Sequence, residues 1–266
     1  VDGSAGTPDD ADAPLDVAAL ADAIRDVQMG HPLIYLPATG STNSYALELA
    51  RDGAAEGTLV LTDDQTAGRG RVGRAWKSLP GQQLVLSLIL YPTFPPHFLV
   101  MASALAVAGA VADVTGLVAD IKWPNDVQIA ERKVSGILIE TSGEYAVLGI
   151  GLNVNGSLAD DPDLSARATT LAQAAGGPVA REAVAAALLR RLDALYGRLQ
   201  TGGELAQRQV RAEWRARLVT LGRRVTLRQG QHEASGLAAD VSADGGLVLH
   251  HDDGTVQTVT WGDVDA

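Results

Sequence analysis

Arg69, Arg71, Arg74 and Lys77 stand within one glycine-rich stretch, DDQTAGRGRVGRAWKS at 63–78, with no acid among them between Gln65 and Ser78. The chain as a whole carries a formal net charge of −11 at pH 7. Positive charge so concentrated, on backbone so flexible, predicts a local anion site: guanidinium forks match carboxylate and phosphate oxygens, and glycines let the backbone come close. Gly68, Gly70 and Gly73 also satisfy the G-x-G-x-x-G dinucleotide pattern, which needs a strand before it and a helix after it. Leu59–Thr62 supplies the strand, but RAWKSLPG leads through Pro80-Gly81 into another strand. A P-loop fails for want of its Gly-Lys-Ser/Thr. A solvated basic loop is the plain alternative, and it leaves the mutual repulsion of four cations unanswered.

A second group narrows the chemistry. IKWPNDVQIAERKVSGILIE, at 121–140, sets Lys122, Asn125 and Asp126 around a Pro124 turn and returns through Lys133 into an apolar run that contains Gly136. Read plainly, Pro-Asn-Asp is a hairpin corner and Lys133 its solvated tip. Gly136 resists that reading, because glycine weakens a strand unless something must approach its backbone. The five histidines have no spacing suited to a metal, and the chain has no cysteine. No metal site is therefore predicted, and disulfides, thiolate ligands and a cysteine nucleophile are excluded. A pI near 4.8 argues against a surface-wide grip on nucleic acid or anionic lipid.

These residues must be held by a core, and 266 residues with 46% apolar content can build one. A helix is expected over Val17–Gln28, and a second after Ser41 as N-cap, stopped by Gly53. Leu59–Thr62, Leu84–Tyr91, Val127–Ala130, Val134–Glu140 and Tyr145–Leu152 read as strands of a central sheet, closely spaced enough for hairpins. The uncharged run Phe98–Ala112 reads as a buried helix, too short to cross a bilayer. Val184, Leu188, Leu192, Leu195 and Leu199 give Ala183–Leu199 one apolar face, with Arg190, Arg191 and Arg198 as a solvated surface opposite. After a more polar helix, 204–218, short strands begin near Thr220, with Asp244-Gly245 and Asp253-Gly254 as hairpin turns. The expected organisation is α+β: an acidic, disordered lead-in at 1–14, a catalytic domain at 15–218 and a small β domain at 219–266. The first 14 residues have no basic start and no apolar core of a secretory signal, so the cytoplasm is the expected compartment, with no membrane partner.

GSTN at 40–43, QTAGRGRVGRAW at 65–76, KWPND at 122–126, RKVSGILIE at 132–140 and GIGLNVN at 149–155 follow one another in the order and spacing of biotin protein ligases, which the chain resembles from about Thr39 to its C-terminus. The resemblance implies a catalytic domain related to class II aminoacyl-tRNA synthetases, followed by an SH3-like barrel. It implies that biotin is held by Ser41, Thr42, Asn43 and Gln65, with the Gly68, Arg69, Gly70 and Arg71 backbone and Gly136 lining the same pocket. Lys133 would meet the biotin carboxylate and the phosphate, and Arg69 and Arg71 would clamp carboxylate and α-phosphate. Arg74 and Lys122 would face phosphates, while Trp76, Asn125 and Asn153 would shape the ATP side. Magnesium is expected to travel with the nucleotide, and the acceptor is a biotin carboxyl carrier protein, with Asp126 a candidate base for its lysine. The stretch before the resemblance is too short for the family's winged helix-turn-helix, so DNA is not an expected partner. A homodimer is left open. Lipoate ligation is the neighbouring enzyme reading, and a nucleic-acid module built on GRGRVGR is the rival from another class.

Overall fold

The structure is a computed structural model, and it describes residues 13–265; most of the predicted lead-in lies outside the described residues. The chain runs α1 (Val17–Ala23), β1 (Leu33–Thr39), α2 (Thr42–Arg51), β2 (Leu59–Gln65), β3 (Gln83–Leu90), α3 (His97–Thr115), β4 (Asp120–Lys122), β5 (Asp126–Ile129), β6 (Arg132–Ser142) and β7 (Tyr145–Asn153). Short helices α4 (Pro162–Ser165) and α5 (Leu171–Ala175) lead to α6 (Arg181–Thr201) and α7 (Gly203–Ala216). The last strands are β8 (Arg224–Gln229), β9 (His232–Val241), β10 (Leu247–His250), β11 (Val256–Val259) and β12 (Asp263–Asp265).

Seven strands form a mixed sheet in the order β1-β2-β3-β7-β6-β5-β4, in which β1 and β2 are parallel and the other neighbours antiparallel. Side chains alternate between faces with period two, and the sequence uses that strictly. In β3 and β7, Leu84, Leu86, Leu88, Leu90, Ala146, Leu148, Ile150 and Leu152 enter the main core, which also takes α3 and α6. Gln83, Val85, Ser87, Val147, Gly149, Gly151 and Asn153 point the other way. On that second face α2 covers one end, through Ala46, Ala50, Val60, Ile89 and Val147. The rest is open floor for a site.

Helix α3 is buried on every side, as a helix with no polar face must be. By length and composition it could span a membrane, but 72% of its apolar window is buried inside the protein, so it is the core helix expected from the sequence. Gly116, in the left-handed region at φ 70°, ends it. The first helix stops at Ala23 instead of Gln28, and turns lead from there to Gly30. Ser41 occupies the N-cap position of α2, yet its side chain makes no capping bond. The arginines of α6 are not an idle surface: Arg191 makes two bonds to Asp113 of α3, at 2.5 and 2.6 Å, Arg190 meets the Ala23 carbonyl, and Arg198 pairs with Glu213 of α7.

The five-stranded antiparallel sheet, ordered β11-β10-β9-β8-β12, has its predicted hairpin turns at Gly245 and Gly254, both at φ 83°. It is not loosely hung. Residues 217–219 run alongside β4, where the Ile121 amide donates to the Arg217 carbonyl at 3.0 Å and the Val219 amide donates to the Ile121 carbonyl at 3.1 Å. Trp123, 2% exposed, donates from its indole to the Gly245 carbonyl at 2.9 Å.

Candidate active site

The GRGRVGRAW segment folds back on itself as a small hairpin. The Trp76 amide donates to the Gly68 carbonyl at 2.9 Å, the Gly70 amide to Arg74 at 2.7 Å, and the Arg74 amide to Arg71 at 3.2 Å. Gly70 therefore spends its N–H inside the loop. Gly68 also has a structural reason, since a Cβ there would stand 2.6 Å from the returning Trp76 carbonyl oxygen. No helix follows: Arg71–Gly73 is a single 3-10 turn with Val72 at φ 53°, which removes the dinucleotide reading.

Below this hairpin lies a cavity floored by the free face of β3, β6 and β7. Ser41, Thr42 and Asn43 from the start of α2 line it, with Gln65, Arg69, Gly70, Arg71, Arg74, Trp76, Asn125, Lys133 and Gly136. Gly68, Lys122 and Asn153, expected at the site, are not among its walls. Lys122 faces Asp126 across the β4–β5 pair, which fixes the corner around the cis Trp123-Pro124 bond. Asn153 stands behind the cavity, joined at 3.0 Å to Gln83, whose amide also accepts from the Trp76 indole at 3.2 Å. Sequence reasoning missed Gly149 and Gly151 on the floor, and Ser87, which lies buried behind Thr42 and Asn43. Gly151 pairs directly with Gly136 across β6–β7, and a Cβ on it would sit 2.6 Å from the Trp76 ring. What approaches Gly136 is the Lys133 ammonium and that same indole, at 3.1 and 3.2 Å from its notional Cβ. The readable signal was the alternation Gly-x-Gly in β7, which places two bare positions on one face.

At the α2 end, four small polar groups form one network. Gln65 Oε1 accepts from the Thr42 amide at 2.8 Å, Ser87 lies 2.8 Å from the Thr42 hydroxyl, and Ser87 donates to Asn43 Oδ1 at 2.6 Å. Asn43, 4% exposed, gives its Nδ2 to Glu140 at 2.9 Å.

The cations are matched one by one with groups of this chain, those of the loop with groups distant in sequence. Arg69 pairs with Glu140 at 2.7 Å, Arg74 with Asp263 of β12 at 2.7 Å, Lys77 with Asp161 at 2.9 Å, and Lys133 with Asp126 at 2.7 Å. Arg71 donates to the Asn125 amide oxygen at 2.7 Å, and Asn125 in turn donates to the Ile137 carbonyl. Among the described residues Arg71 is the one of these cations with no carboxylate in salt-bridge contact, and burial pulls its guanidinium below the ordinary value, against the opposing charges of Asp263 and Asp126. It stays charged at neutral pH. The hydrogen bond from Lys77 holds the Asp161 carboxyl below its usual range. Lys133 is no solvated tip: its backbone is bonded on both sides to 167–169, and its ammonium turns back over the sheet, 5.9 Å from the Trp76 ring.

Behind the loop, Asp63 at the end of β2 accepts from Arg181 at 2.5 Å, from the Leu15 amide at 3.2 Å and from the Tyr35 hydroxyl. Burial first, then the Asp63 carboxylate, push the Tyr35 phenol up to about 12. The Gly81 amide bonds the Asp63 carbonyl, so this buried knot fixes where the loop re-enters the sheet. Arg181 also holds the Ala13 carbonyl at 2.6 Å, which gives the last of the predicted lead-in an anchor.

A constellation of glycines, arginines and one lysine on these elements has relatives. Residues 35–156 match the model of the biotin/lipoate A/B protein ligase family, and residues 220–265 match the biotin protein ligase C terminal domain. The chain is 35% identical over 262 residues to the biotin–acetyl-CoA-carboxylase ligase of Mycobacterium tuberculosis, covering 94% of this chain and 95% of that one. It is 37% identical over 236 residues to the bifunctional ligase/repressor BirA of Bacillus subtilis, covering 85% of this chain and 71% of that protein. The solved structure of the Aquifex aeolicus biotin protein ligase in complex with biotin and ATP superposes with a TM-score of 0.76 at 29% identity, covering 87% of this chain and 97% of that one. On sequence, fold and the arrangement of its cavity together, the chain belongs to the biotin protein ligase family.

Proposed function

We infer that this protein is an ATP-dependent biotin protein ligase, which joins biotin to AMP and then passes it to a lysine of a carboxylase's biotin carboxyl carrier protein. The observation that carries the reading is the pairing of an uncharged polar pocket, lined by Thr42, Asn43 and Gln65 and backed by Ser87, with a cationic rim built by Arg69, Arg71, Arg74 and Lys133. One end suits a ureido ring. The other suits a carboxylate meeting a phosphate.

The first step brings two anions together. Unit like charges about 4 Å apart repel by about 4 kcal/mol at an effective dielectric of 20, and a triphosphate carries several. Fixed cations offset that repulsion, with Arg71 and Lys133 nearest the reacting atoms in this reading. Biotin's carboxylate is already ionised at neutral pH, so attack on the α-phosphorus, expelling pyrophosphate, needs no general base. Positioning and electrostatics supply the rate. Lys122 and Asn153, which stand outside the ligand-free cavity, are assigned to the nucleotide side. Among the described residues no three His, Asp or Glu side chains converge on a metal position, so Mg2+ would enter on the phosphates and neutralise part of their charge.

In the second step the carrier lysine attacks the acyl-adenylate carbonyl and AMP leaves. A hairpin laid over the cavity would keep water from that anhydride. We read residues 15–218 as a class II synthetase-like catalytic domain and 219–266 as an SH3-like domain, in an enzyme of the cytoplasm. The nucleic-acid reading is set aside in favour of this one, since the loop's arginines already have partners within the chain around the cavity wall.

Biotin-dependent exchange of pyrophosphate into ATP tests the assignment, with lipoate as the competing acid. Wild-type protein should respond to biotin, and Arg71→Ala or Lys133→Ala should abolish exchange while thermal melting stays cooperative. Exchange triggered by lipoate instead, or undiminished in either variant, would overturn the corresponding assignment.

A further inference from the structure

Glu140 ends the RKVSGILIE run of β6 and has no part in the reaction described above. Yet one of its oxygens holds two residues of the cavity wall. Oε2 accepts from Asn43 Nδ2 at 2.9 Å and from Arg69 Nη2 at 2.7 Å. The two halves of an asparagine amide are alike in shape, and a carboxylate can only accept, so Glu140 decides which end of Asn43 faces which way. Ser87, donating to Oδ1 from the opposite side at 2.6 Å, agrees with that orientation. The second contact matches the charge of Arg69 before any substrate is present. Both side chains keep some access to solvent, at 42% for Arg69 and 27% for Glu140, so the pair can be opened without unpacking the core.

We propose that Glu140 is a positioning residue that fixes the amide of Asn43 and occupies Arg69 with a carboxylate until the substrate's own carboxylate displaces it. The proposal rests on the reading of the cavity as a biotin site. Biotin must compete with Glu140 for Arg69, so its ground-state binding is weakened by the competition. An uncharged analogue feels no such rival, and only the orientation of Asn43 matters to it.

Calorimetric titration of biotin and of biotinol, its uncharged alcohol, into wild type, Glu140→Gln, Arg69→Gln and the double variant tests this. Glutamine keeps the shape of the side chain and an oxygen for Asn43 but drops the charge. Glu140→Gln should bind biotin about two- to fivefold more tightly than wild type, the range of one exposed ion pair, and change biotinol by less than about twofold. In the Arg69→Gln background the same substitution should leave biotin affinity within about twofold. A shift that is equal for both ligands, or that survives the loss of Arg69, overturns the proposal. The wild-type enzyme offers a second reading: the Arg69 side-chain NMR signals should move when biotin is added and hold still for biotinol, and a failure to move for biotin also overturns it. Wild type that binds neither ligand and exchanges no pyrophosphate would sink the biotin reading itself.

Discussion

Replacing Gly151 with alanine tests whether the indole of Trp76 rests on the sheet floor. Gly151 does not use the left-handed region, so alanine brings no backbone strain of its own. Its new methyl would lie 2.6 Å from two ring carbons of Trp76, about 0.8 Å inside ordinary van der Waals contact. The ring cannot slide away freely, because its N–H is tied to Gln83 at 3.2 Å. The indole must therefore lift into the cavity and give up that bond. Overpacking of this kind costs about 1–3 kcal/mol. In a protein of this size each kcal/mol moves the melting temperature by about 2–4 °C, so a fall of roughly 2–12 °C is expected. Biotin-triggered pyrophosphate exchange should fall with it, since the lifted ring stands where ligand belongs. Repeating the change in a Trp76→Ala background removes the obstacle, and there Gly151→Ala should cost less than about 0.5 kcal/mol. Equal losses in the two backgrounds, measured by scanning calorimetry, would refute the reasoning.

Val72, 62% exposed and at φ 53°, pairs a β-branched side chain with a left-handed backbone. Val72→Asn should stabilise the protein by about 1 kcal/mol in urea unfolding, because asparagine tolerates that region and little burial is lost. Tyr35 ionises near 12 in the folded protein against 10.0 ordinarily, so its contribution to stability is complete below pH 10 and is lost as pH rises from there toward 12. Phenolate absorbance should show a late step that disappears in Tyr35→Phe, and an unchanged alkaline titration in that variant would contradict the Asp63 contact.

The cationic loop and the turn at Pro124 that carries Asn125 could be read from the residues themselves, whereas Ser41 to Asn43, which open a helix, were placed beside a ligand only through the resemblance. The sheet's two faces were likewise legible in β3 and β7, where leucines alternate with smaller residues. Charge pairing was not. Glu140 lies 71 positions from Arg69, and Asp263 lies 189 from Arg74, so no local pattern could foretell that the loop's cations are answered from inside the chain. The edge strand β1 escaped because Pro37 interrupts it, which a strand at the sheet border tolerates. The three-residue β4 carries too few positions to show a period.

Trp123 and Asn125 lie on either side of a single proline, one gripping the Gly245 hairpin of the small sheet and the other gripping Arg71. Asp263 closes a second linkage from that sheet to Arg74. The small sheet is thus bonded both to the turn that holds Arg71 and to Arg74 itself. A polypeptide trimmed after Leu218 would be no miniature of the enzyme: it would have cut the straps that keep its own cations aimed.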